Sequence, residues 1–271
     1  MATDLSVIQA DKITKKDFHR LLGQYPDVIK SISNAKGAKD GQRTLQELDD
    51  YRYGEAVNMF AGGDPERSMD LDHVKTLVEW KLRHGKFRPT LMKLVSANEP
   101  KTAADIIKTA LGVYRQEYDA QAALDILTNL KGIGPATASL LLTVHDPTRV
   151  IFFSDEAFYW LCSDGKKSPI KYNAKEYKLL CANAHDLSKR LDVSATDVEK
   201  VAYVLIKQQP EESKPSKKSA PAKNKKASSK MDKKPAKAAS SKRKPTQPEP
   251  DHADHVASEP TTLRRSKRRR A

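Results

Sequence analysis

Residues 130–142, LKGIGPATASLLL, constrain this chain more than any other stretch. A Gly-Ile-Gly turn is followed at once by a proline and then by apolar residues at helical spacing. Proline at the first helical position loses nothing, because the N–H it lacks has no partner within the helix. The two glycines allow backbone geometry that residues with a Cβ resist. Leu127 and Leu130 pack an incoming helix, and Ala138, Leu141 and Leu142 an outgoing one. Ala138 is small where the two helices cross, and Ile133 plugs the gap under the turn. A turn of this kind offers free backbone N–H groups, and the positive end of a helix over 135–144, to an anion such as a phosphate oxygen.

The rest of the chain reads as helix around that hairpin. A short helix is expected over 14–22, a loop over 31–42, and a helix from Thr44 that stops at the Gly-Gly-Asp-Pro run after Ala61. Asp70 caps LDHVKTLVEWKLRHG, whose Leu71, Val74, Leu77, Val78 and Leu82 face inward. Thr102 is expected to cap the next long helix and Asp119 the one that enters the turn. Residues 149–153, RVIFF, form a short extended apolar run, and Ser154 or Asp155 caps the helix after it. Asn173 with Glu176, and Ser194 with Asp197, are expected to close capping boxes on the last two helices. No strand-period segment appears beyond RVIFF, so the fold class is all-α. The expected organisation is an N-terminal segment, 1–43, with one short helix, a multi-helix domain over 44–209, and a disordered basic tail over 210–271.

Charge separates that tail from the rest. The 271 residues carry a net charge of +14. Residues 211–271 hold 19 Lys/Arg against 7 Asp/Glu, leaving 30 against 28 for residues 1–210. The tail has no Phe, Trp or Tyr and cannot bury enough apolar surface to offset its ordering entropy. Its clusters, Lys225-Lys226, Lys242-Arg243-Lys244 and Arg264–Arg270, read as nuclear localisation signals or as an arm that lies on nucleic-acid phosphates. The globular part is nearly neutral, and its composition does not demonstrate a basic face. Cys162 and Cys181 are too few for a disulfide framework or a four-cysteine metal site and are expected to be reduced core residues. With no run of transmembrane length and no signal peptide read at the start, a soluble, non-secreted protein is expected.

The hairpin residues match the helix-hairpin-helix pattern, and the wider stretch 71–161 resembles the helix-hairpin-helix DNA glycosylase superfamily. In that family a catalytic Asp follows the hairpin by about twenty residues, near a helix N-terminus; here Asp155 stands twenty-one residues past Gly134. The resemblance implies that Gly132, Gly134 and the N–H groups after Pro135, starting with Ala136, hold a DNA phosphate, with Lys131 adding charge. It implies that the helices before the hairpin supply a pocket for an extruded base, which makes Tyr51, Tyr53 and Trp80 candidates for stacking. A fixed carboxylate stabilises the positive charge that develops on a sugar losing its base, or deprotonates an attacking water.

Three departures narrow the inference. Ala136 stands where the family's bifunctional members carry a lysine, which argues against imine-based strand cleavage by that route. The iron–sulfur cysteines of some members are missing. Glu156-Ala157-Phe158 replaces the family's usual residues after the Asp. The expectation is a nuclear DNA-associated protein which, as an enzyme, is a monofunctional DNA N-glycosylase using Asp155 without metal or cofactor. The alternatives are a non-catalytic DNA- or chromatin-binding module of the same fold, or a nuclear interaction protein. Expected partners are DNA and a nuclear import receptor but no membrane, and the chain is expected to be monomeric.

Overall fold

The computed structural model describes residues 8–62 and 68–209, and among these the only regular elements are helices. They are α1 (Lys15–Leu22), α2 (Tyr25–Lys36), α3 (Leu45–Asp50), α4 (Ala56–Phe60), α5 (Leu71–His84), α6 (Leu91–Ser96), α7 (Pro100–Glu117), α8 (Ala120–Leu127), α9 (Pro135–Thr143), α10 (Asp155–Cys162), α11 (Ala174–Leu191) and α12 (Ala195–Lys207). A π-helical turn, Tyr51–Glu55, joins α3 to α4. No helix among the described residues is long and apolar enough to cross a membrane.

Caps decide most of the helix starts. Thr14, Asp119, Ser154 and Asn173 each accept backbone N–H bonds from the first turn that follows. Thr44 with Glu47, Asp70 with His73, and Ser194 with Asp197 close capping boxes. These caps fill the N–H groups that a helix start leaves without partners.

Four local expectations are corrected. The 31–42 loop is displaced: α2 runs to Lys36, because Tyr25, Ile29 and Ser33 share one buried face. The described part of the N-terminal segment, residues 8–43, therefore holds two helices, not one, and α1 and α2 pack against α12, with α2 also on α3, as part of the main body. The long helix α7 begins at Pro100 rather than after Thr102; Glu99 caps it by accepting from Lys101 and Thr102 N–H. Asn173 caps α11 without a closed box, since the Glu176 carboxylate takes the Lys171 N–H instead. Both cysteines are free and half-buried, packed against the core's edge. The basic tail, 210–271, lies outside the described residues.

A buried polar cluster sits in the middle of the apolar core. The Asp49 carboxylate accepts from Tyr25 Oη and Trp80 Nε1, both at 2.9 Å. Arg52 pairs with Glu199 at 2.9 Å and donates to Thr143, and Tyr53 Oη donates to the other Glu199 oxygen at 2.8 Å. The Arg52 guanidinium lies over the rings of Tyr53 and Trp80, at 4.1 and 4.3 Å. Removing either member of such a buried pair leaves a charge without compensation. The π turn contributes by turning consecutive residues, Tyr51 and Arg52, inward. The cluster ties α2, α3, α9 and α12 to Trp80 and so fixes the C-terminal half of α5.

Candidate functional site

The α8–α9 turn is held from below by Asn98. Its side-chain amide donates to Lys131 O at 2.9 Å and accepts from Lys131 N at 2.8 Å. Gly132 has φ +79°, and a Cβ there would meet Leu94 Cβ at 3.0 Å and Val95 N at 3.1 Å. It is glycine for both conformation and close approach to α6. Gly134 differs from expectation: its φ of −98° suits any residue, and nothing lies within 4 Å of the Cβ position. Its missing side chain leaves open space in front of α9, whose first turn has no side-chain cap. Ile133, Leu127, Leu130, Ala138, Leu141 and Leu142 are all buried.

The extended run 150–153 is buried and follows α9 back toward the turn. Ser139, on α9, accepts the Phe153 N–H at 2.9 Å and so anchors the run's end. Ser154 caps α10, which leaves the carboxylate of Asp155, the first helical residue, unused by the cap. That carboxylate accepts from Tyr172 Oη and pairs with Lys86 Nζ at 2.8 Å. Tyr172, in the left-handed region at φ 54°, is packed against Phe153. The pair with Asp155 pushes the Lys86 pKa up.

One cleft of about 720 Å³ joins these two pieces: Gly132, Gly134, Pro135, Ala136 and Thr137 line it together with Asp155. Volumes of this order hold small organic ligands. Lys81, Lys86, Arg88, Lys167 and Lys207 also line it, against only two carboxylates, Asp155 and Glu156. The fold therefore gathers positive charge at one opening although the domain's composition is nearly neutral. Glu156 is buried and paired with Lys207 at 2.7 Å. His84 is sandwiched between the rings of Trp80 and Tyr203, and burial drives its pKa well below the ordinary value, so it is neutral.

Lys81 is the least expected member. It projects from α5 and donates to the Thr137 hydroxyl at 2.7 Å, at the foot of the turn. Burial, helped by the charge of Arg88 and partly opposed by Asp155, lowers its pKa to about 8. In the sequence it is one lysine on an amphipathic helix; its contact with Thr137 appears only in the fold. Asn98, Ser139, Lys86 and Tyr172 carried no distinguishing signal either.

Among the residues singled out from the sequence, Gly132, Gly134, Ala136 and Asp155 are brought to one cleft. Lys131 is exposed at the turn, where its ammonium reaches Ala97 O at 3.3 Å. Tyr51, Tyr53 and Trp80 do not line the cleft. Trp80 is fully buried, with its faces covered by His84 and Arg52 and its N–H taken by Asp49. Tyr51 is buried, and Tyr53 is tied to Glu199 beneath Arg52. A stacking platform needs an open ring face, so these three rings are core rather than base contacts.

No protein-family model matches the chain, and comparison with curated proteins and with solved structures yields no significant match.

Proposed function

We propose that this protein binds DNA through the α8–α9 turn and releases a damaged base from a nucleotide extruded into the cleft beside Asp155. On this reading it is a monofunctional DNA N-glycosylase of the helix-hairpin-helix type, acting in the nucleus, to which the basic tail directs it. The observation that carries the reading is the shared cleft: the glycine turn and the Asp155 carboxylate, twenty-one residues apart in sequence, open on the same space. Backbone amides ahead of α9 suit a phosphodiester oxygen, and the five cations suit its neighbours along the strand. Asp155, held by Lys86 and Tyr172 and partly exposed, faces the position of a sugar whose phosphate sits at the turn. It stabilises positive charge on that sugar or takes a proton from the attacking water.

The test is base release from a broad panel of damaged duplexes by the wild type and by Asp155→Asn. Release by the wild type that is lost in the variant supports the reading; no release on any duplex overturns the enzymatic part. A second reading, DNA binding without catalysis, draws on the pairing of Asp155 with Lys86, which engages the carboxylate within the protein. It predicts that Gly134→Phe weakens binding of a tail-less protein to undamaged DNA while base release is absent in every variant. Binding unchanged by Gly134→Phe would leave a protein-interaction role for the hairpin.

A further inference from the structure

We propose that Lys86 is a gate on Asp155: in the free protein its ammonium covers the carboxylate, and a phosphate of bound DNA draws it away, so that Asp155 is uncovered only when the cleft is filled. The inference rests on the DNA reading above and adds a regulation of the same site.

Both oxygens of the Asp155 carboxylate are engaged. Tyr172 Oη donates to Oδ1, and Lys86 Nζ pairs with Oδ2 at 2.8 Å. A carboxylate neutralised by an ammonium stabilises positive charge on a sugar less well than a bare one, and takes a proton from water less readily. The pair with Lys86 therefore holds the site back.

The two partners differ in how firmly they are built in. Tyr172 is half-buried and packed against Phe153, whose N–H is bonded to Ser139. Lys86 is the first residue after Gly85, the C-cap of α5, and its side chain is 71% exposed. In the other ion pair on this wall the carboxylate of Glu156 is buried, and its lysine, Lys207, is only 34% exposed. That pair ties α12 to α10. A pair with as exposed a cation as Lys86 adds little to stability and is screened by salt, so breaking it costs little. Asp155 does not depend on it for position. Ser154 caps α10, and Ser139 fixes the residue before that cap.

A phosphodiester fits the exchange. It is anionic, it suits the amides ahead of α9 and the remaining cations, and it offers the ammonium a new partner within the same cleft. A neutral ligand, such as a free nucleoside, offers the ammonium nothing and leaves the gate shut. The strand that brings the sugar to Asp155 is then also what frees the carboxylate.

The experiment compares full-length wild type, Lys86→Gln and Lys86→Arg in duplex binding and in single-turnover base release at saturating protein. A third readout is the carboxylate 13C signal of Asp155, assigned by its loss in Asp155→Asn. Lys86→Gln removes the gate and one phosphate contact, so it should bind about five times more weakly yet release base about three times faster. Lys86→Arg grips the carboxylate with a fork, so it should bind as wild type does and release about ten times more slowly. If Lys86 only supported Asp155, glutamine would slow release; if it only held phosphate, neither variant would change release at saturation. Either result overturns the gate. The 13C signal keeps the test independent of catalysis. An undamaged duplex should move it toward its position in free Lys86→Gln, and should move it far less in that variant. A signal that the bound duplex leaves in place overturns the gate and leaves the DNA reading intact. The expected shift without base release from any damaged duplex supports the gate and overturns the enzymatic part alone. Absence of duplex binding overturns both.

Discussion

The Asn98 side chain holds the main chain of Lys131 at two points, donating to its carbonyl at 2.9 Å and accepting from its N–H at 2.8 Å. Asn98 follows α6, and the bond pair is what locks the α8–α9 turn to that helix. Asn98→Ala removes both bonds, and at about 1 kcal/mol each the loss should be roughly 2 kcal/mol. Chemical denaturation measures the loss, and amide exchange should speed up at residues 131–134 more than in α12. Uniform exchange across the chain would show that Asn98 does not act on the turn in particular.

The two glycines of the turn should separate stability from binding. Gly132→Ala forces a side chain into the left-handed region and against the Val95 backbone, so a loss of about 2–4 kcal/mol is expected. Gly134→Ala meets neither obstacle and should leave the melting temperature within about 1 °C of wild type. Its methyl group points into open space in front of α9, so the expected loss is in DNA affinity. Equal destabilisation by the two substitutions would contradict the backbone geometry described for the turn.

How far the sequence carries follows from which signals are local. The turn and Asp155 are legible because glycine, proline and a cap act within a few residues. The π turn is not legible: the stretch reads as one helix from Thr44, and Arg52 is known to point inward only once Glu199 is seen to pair with it. Tyr51, Tyr53 and Trp80 are misread because an aromatic ring on an inward face looks the same whether it stacks on a ligand or on Arg52. The partners that decide, Asp49 and Glu199, are 31 and 119 residues from Trp80, with Glu199 reaching it through Arg52. Lys81 is missed for the same reason: its hydrogen-bond partner, Thr137 on α9, lies more than fifty residues later. α2 is missed because Ser31, Ser33 and Asn34 look like loop residues until the face carrying Tyr25 and Ile29 finds its neighbours.

The positive cleft and the basic tail should contribute separately to the salt dependence of DNA binding. Each lysine or arginine that neutralises a phosphate adds about one to the slope of log affinity against log salt concentration. Arg88→Gln and Lys167→Gln should each lower that slope by about one in a protein ending at residue 214, where the compact unit closes. Deleting residues 215–271 should lower it further and weaken binding to all sequences alike. An unchanged slope in the two cleft variants would place the phosphates elsewhere on the surface.

Asp49 gives a pH signature to stability. Burial raises its pKa from 3.8 to about 6, although the bonds from Trp80 and Tyr25 pull the other way. A carboxyl whose folded pKa is raised binds its proton more tightly in the folded state, so its contribution is present below pH 3.8 and is lost as pH rises through about 6. Asp49→Asn keeps an acceptor for Trp80 and Tyr25 and removes this dependence; its stability should gain on wild type between pH 4 and 7. Asp49→Ala leaves two buried donors without a partner and should lose about 2–4 kcal/mol at any pH. Denaturation midpoints of the three proteins from pH 4 to 7 check both signs.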